Sequence, residues 1–175
     1  MDIIAITKKA SSLAKDNQLN EAIELLKSII PEMAKLGGHG KSYVKIIPYF
    51  QKAGRYQEGV DYTENVLIPY IKQDCRKVFG HKCEEMQQAF QFINISKAYD
   101  KLRLCAKREK MSDDEARFEQ LSLDAHERYA DLLPKAELIE LKKKYKEYLS
   151  LYGKDYSLWP GGLSQFDCLI KNNAD

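Results

Sequence analysis

Leu13-Ala14-Lys15-Asp16-Asn17-Gln18-Leu19-Asn20-Glu21-Ala22-Ile23-Glu24 and Phe50-Gln51-Lys52-Ala53-Gly54-Arg55-Tyr56-Gln57-Glu58-Gly59-Val60-Asp61 read as one helix–turn–helix unit written twice. Ala22 and Gly59 are equivalent, so the period is 59 − 22 = 37 residues. A period of that length is the mark of stacked helix pairs, each burying the apolar face that its neighbour cannot cover alone. Asp16-Asn17-Gln18 is a polar turn in which Asn17 can take a left-handed conformation, and Gly54 ends the corresponding helix of the second unit.

Outward from these turns, apolar residues recur at intervals of three and four, and strand signals are almost absent. About seven helices are expected. The first runs from about Asp2 to Lys15. The second runs from Leu19 to Leu36 with Ile23, Leu26 and Ile30 on one face, and Gly37-Gly38-His39-Gly40 ends it. The third covers Lys41 to Ala53, and the fourth Tyr56 to about Lys77. Pro31, Pro48 and Pro69 fall inside these patterns, and each should kink or split its helix. The fifth helix, from Cys83 to Lys110, carries two apolar stripes and should be central. Ser112 with Glu115 predicts a capping box that starts a sixth helix, and Pro134 suits the first turn of a seventh. Three further helices are thus expected over residues 83–153. Residues 154–175 hold Trp159, Leu163 and Phe166, too apolar for plain disorder, and form a tail expected to dock back as a cap.

The 175 residues suit one all-α domain with a core of its own. A net charge of +2 makes the whole molecule neither a polyanion trap nor an acidic tail. No apolar run approaches the roughly 20 residues that span a bilayer. The start, Met1-Asp2-Ile3-Ile4, does not read as a signal peptide. Cys75, Cys83, Cys105 and Cys168 are therefore expected to be free thiols in a cytoplasmic protein.

The two units resemble tetratricopeptide repeats. The first offers Ala10, Leu13, Leu19 and Ala22 at the small and aromatic positions, and the second offers Tyr43, Phe50, Gly54, Tyr56 and Gly59. The resemblance covers roughly residues 5–71 and is degenerate. Ile47 and Val66 fill small positions, Lys9 stands where leucine is usual, and the glycine turn adds length. It implies a right-handed stack of antiparallel helices that binds another protein along a groove lined by the first helix of each pair. Some members grip a C-terminal carboxylate with Lys and Asn. The matching positions here are Thr7, Ser11, Val44 and Pro48, so that clamp is missing.

Charge is unevenly shared. The first helix carries Lys8, Lys9 and Lys15 against Asp2, and the third carries Lys41, Lys45 and Lys52 with no acid. The second and fourth are net acidic. If first helices line the groove, a basic groove would steer an acidic partner protein. Lys8, Lys15, Lys41, Lys45 and Lys52 are the candidate partner-binding residues, with Tyr49 as an aromatic anchor. The other reading of these lysines is a solvated face.

No phosphate loop, dinucleotide fingerprint or nucleophile–base–acid set appears, so a non-catalytic chain without cofactor or metal is expected. A small domain of this kind suits an immunity protein that plugs a toxin, a chaperone or an adaptor. Two alternatives stay open. The run Lys142-Lys143-Lys144 with Lys146 would serve a nucleic-acid binder, although Glu137, Glu140 and Glu147 dilute it. Cys75, His81 and Cys83 would serve an enzyme with a metal site, although the spacing matches no zinc motif.

Overall fold

Three helix ends in the computed structural model share one turn. The structure describes residues 2–38, 40–167 and 169, with the backbone alone at residues 40 and 41. Asn17 takes φ 60°, Gly54 φ 71° and Lys110 φ 58°. Each left-handed residue lets the next N–H reach back five residues. Gln18 donates to Leu13 O (2.8 Å), Arg55 to Phe50 O (2.9 Å) and Met111 to Ala106 O (3.0 Å). This is the Schellman closure, which satisfies carbonyls orphaned at a helix end and reverses the chain. Lys110 pays the β-carbon penalty that glycine avoids. Lys110→Gly is therefore expected to stabilise the chain by about 1 kcal/mol, read as a higher urea midpoint.

The helices are α1 (Ile3–Lys15), α2 (Leu19–Leu36), α3 (Gly40–Tyr43), α4 (Ile47–Lys52), α5 (Tyr56–Tyr62), α6 (Ile68–Phe79), α7 (Glu84–Glu109) and α8 (Ser112–Tyr152). A π-helical turn, Thr63–Leu67, joins α5 to α6, and the tail adds two 3₁₀ turns. Among the described residues there is no strand, so the chain is all-α. None of these helices is long and apolar enough to cross a membrane.

The prolines act differently from one another. Pro48 splits the expected third helix into α3 and α4 and sits in the first turn of α4, where its missing N–H is harmless. Ahead of Pro69 the helix widens, and Ile68 N–H bonds Thr63 O, five residues back. That moves the backbone away from the proline ring, which would otherwise meet the carbonyl four residues earlier. Val66, a departure from the repeat pattern, lies in this widened turn. Pro31 leaves α2 unbroken, with Ile29, Ile30, Met33 and Ala34 buried around it.

Pro134 brings a correction. The sixth and seventh helices are one helix of 41 residues, so residues 83–153 hold two helices and not three. Contacts beyond the proline hold α8 in line. Cys83 Sγ donates to Ala136 O (3.7 Å), and the Glu140 carboxylate accepts the Cys83 N–H (2.5 Å) at the start of α7. The capping box is also absent, because no side chain caps the start of α8. The turn at Lys110 makes that reversal with backbone bonds alone.

α1 packs on α2, α2 against α4 and α6, α4 against α5 and α7, α6 against α7, and α7 along α8. One core runs through these contacts, with Ile23, Ile30, Tyr43, Phe50, Leu67 and Phe118 fully enclosed. The Tyr43 hydroxyl donates to Asp74 (3.2 Å) within it, and burial pushes the phenol upward. Because α8 is longer than the 26-residue α7, its C-terminal part runs past the core. The tail covers that overhang. Trp159 and Phe166 pack edge-on to Tyr145 and Tyr148, and the Trp159 indole donates to Gly153 O (3.2 Å).

Ion pairs join the first two hairpins on their outer side. Glu58 accepts from Arg55 (2.6 Å) and from Lys27 of α2 (3.0 Å). The hydrogen bond from Arg55, then that from Lys27, holds the Glu58 carboxyl at about 2, below its ordinary 4.5. The folded value is depressed, so the stabilisation is present above pH 4.5 and is lost as pH falls towards 2. Because the cluster is half exposed, it should contribute about 1 kcal/mol or less. Glu58→Gln should lower stability at pH 6 and match the parent at pH 2, as urea titrations at both values would read.

Candidate functional site

Two adjoining clefts run across the face made by α1, the α3–α4 segment and α7. The first, about 490 Å³, lies between α1 and α3 and is lined by Ile3, Ile4, Thr7, Lys8, Ser11, Ser12, Lys15, Ser42 and Lys45. The second, about 340 Å³, lies between α4 and α7 and is lined by Ser11, Val44, Lys45, Pro48, Tyr49, Lys101, Leu104, Cys105 and Arg108. Ser11 and Lys45 belong to both, so the two make one groove.

Helical spacing puts these residues there. On α1, Ile4, Lys8, Ser11 and Lys15 stand three or four apart and share a face, while Ala10 turns inward to the core. On α7, Lys101, Leu104, Cys105 and Arg108 do the same, with Leu102 and Ala106 buried behind them. Thr7, Ser11, Val44 and Pro48, the positions aligned with the carboxylate clamp, all line the groove.

Of the candidate residues, Lys8, Lys15, Lys45 and Tyr49 meet in the groove. Lys52 is exposed at the end of α4 and lines neither cleft. The side chain of Lys41 lies outside the described residues. Lys101, Leu104 and Arg108 also line the groove, although the two apolar stripes of α7 mark it as a helix packed on both sides. The available signal was the pair of cations seven residues apart, flanking Leu104 and Cys105.

The groove carries charge of one sign. None of the described lining residues is acidic, and Lys8, Lys15, Lys45, Lys101 and Arg108 have no carboxylate partner among the described residues. On other faces some cations are paired and others, such as Lys72, Arg76 and Arg128, also lack a carboxylate partner among the described residues. Lys27 and Arg55 hold Glu58, Lys35 holds Glu32 (2.6 Å), Arg103 holds Asp100 (2.8 Å), and Arg117 bridges to Glu64. Unpaired cations on low-dielectric walls focus a positive field into the cleft.

The cysteines and histidines are dispersed. Cys75 is buried beside Asn94, Cys83 bonds Ala136 O at the start of α7, and His81 is exposed. Among the described residues no group of three Cys, His, Asp or Glu converges on a point able to hold a metal ion. His126 is exposed on α8, and His39 and Cys168 lie outside the described residues. The basic run of α8 is exposed, and Lys144 is engaged with the tail through Gln165 (2.6 Å).

Cys75, Cys83 and Cys105 are free thiols. Burial pushes each of them up, Cys75 to about 11. At pH 7.5 all three should stay protonated, and these three sites should react slowly with a thiol-specific dye in the folded protein. The same sites should label promptly in 6 M guanidinium. Fast labelling of Cys105 in the native chain would mean that the groove floor is open.

Comparison with protein-family models, with curated proteins and with solved structures finds no match to the chain.

Proposed function

We propose that the chain is a non-catalytic protein-binding domain, a tetratricopeptide-like stack of three helix hairpins whose groove holds an acidic partner protein. The observation that carries this reading is the acid-free, cationic lining of the groove. Five cations line the groove with no acid among its described lining residues, whereas three other clefts each include a carboxylate: Glu137, Glu140 and Glu147 in one, Asp74 in a second and Glu84 in a third. Leaving five cations without partners contributes little to stability, but it suits a surface that waits for an anion.

The repeat reading draws support from the turns at Asn17 and Gly54, which stand 54 − 17 = 37 residues apart and equal the sequence period. The turn at Lys110 closes a third hairpin, α7 with α8, in the same way. On this reading α1, α3–α4 and α7 are the first helices, and they are the elements that line the groove. A neutraliser of a toxin, a chaperone and an adaptor all fit such a surface, and a cytoplasmic setting suits its free thiols.

The test is binding of a fluorescein-labelled poly-glutamate 12-mer in low salt, with poly-glutamine and a single-stranded oligonucleotide of equal charge as comparisons. Saturable binding of poly-glutamate that exceeds both is expected. Tighter binding of the oligonucleotide would favour the nucleic-acid reading, and binding of neither anion would end the acidic-partner reading.

A further inference from the structure

The groove walls constrain the shape of an occupant as well as its charge. Lys101 and Arg108 stand two turns apart on α7, about 10.5 Å along the axis, with Leu104 and Cys105 between them. Lys8 and Lys15 on α1 have the same separation, with Ser11 and Ser12 between them. Lys45 sits where the two clefts meet. Each wall therefore offers cations at both ends of a two-turn interval, and the α7 wall offers an apolar patch at its middle. Val44, Pro48 and Tyr49 extend that patch across the floor.

Resting on the acidic-partner reading, we infer that the occupant is an amphipathic acidic helix of the partner, with carboxylates at positions i and i+7 and apolar side chains at i+3 and i+4. A helix carries these four residues on one face, in the order that complements Lys101, Leu104, Cys105 and Arg108. Its two carboxylates span the same 10.5 Å or so as the cations that receive them. Its apolar pair covers Leu104 and the side of Tyr49, where a uniformly charged segment would leave carboxylates against apolar surface.

The experiment is selection of a phage-displayed random 18-mer library on the full chain, followed by the same selection on Leu104→Asp. Sequences from the parent should be enriched in Asp and Glu, with acids seven apart and apolar residues three and four after the first. Synthetic peptides of that phase should bind at least tenfold tighter than peptides of the same composition with the acids moved to the opposite face. Leu104→Asp should lose this discrimination while keeping its circular-dichroism spectrum. If acids are enriched without that phase, or both peptides bind equally, the helix inference fails and the acidic groove stands. If no acid enrichment appears, the inference and the acidic-partner reading fall together.

Discussion

Gly59→Leu is expected to destabilise the chain by about 3 kcal/mol, the largest effect of any single change on the face where α5 crosses α4. A β-carbon placed at Gly59 would lie 2.6 Å from Cβ of Phe50 and 3.1 Å from its Cγ. Phe50 cannot retreat, because it is fully enclosed and stacked at a tilt on Tyr62, with ring centres 5.5 Å apart. Its neighbours across α2 and α7 would have to move with it. Gly59→Ala separates the causes. Helix propensity alone would make alanine better by about 1 kcal/mol. The close approach should reverse that sign and leave the variant less stable than the parent. Gly54→Ala is the control, since its β-carbon would meet nothing within 4 Å and only the positive φ of 71° opposes it. Urea unfolding of the three variants reads the result. A Gly59→Ala variant more stable than the parent would show that the helices have room to part there.

Lys45→Glu combined with Lys101→Glu should weaken binding of an acidic peptide more than tenfold while leaving the unfolding midpoint nearly unchanged. Both cations line the groove and neither has a carboxylate partner among the described residues, so reversing them breaks no ion pair of the fold. Solvated surface substitutions of this kind change stability by about 0.5 kcal/mol or less. Binding responds far more strongly, because the pair changes local charge by four units at the centre of the groove. Long-range attraction becomes repulsion, so association slows first, and the loss should shrink as salt rises. Lys142→Glu with Lys146→Glu makes the same change of charge on an exposed face of α8. If that second variant abolishes binding and the first does not, the groove is not the binding surface. Stopped-flow association at two salt concentrations distinguishes the cases.

That the chain is helical and turns back near Asn17 and Gly54 was legible in the sequence. Apolar spacing of three and four favours helix over strand, and Asn17 and Gly54 are residue types that tolerate the left-handed turn. Gly59 fills a small position of the repeat pattern, and a missing side chain in an apolar helix is the sign of a close neighbour, here Phe50. The sequence also indicated a basic side through Lys8, Lys15 and Lys45. The third reversal was legible as a boundary, since one helix was expected to end at Lys110 and the next to start at Ser112, but its closure was not, because Lys110 adopts a left-handed conformation that its residue type disfavours. Packing between α7 and α8 carried one helix through Pro134, where local rules read a boundary. Which cations are free was also beyond the sequence. Lys27 and Lys45 look alike in the chain, but Lys27 meets Glu58 from 31 positions away and Lys45 meets the empty middle of the groove. Propensity and period act within a few residues and can be read in order. Charge pairing and the third wall of the groove depend on which distant helices come together, and that was decided by burial of the shared core.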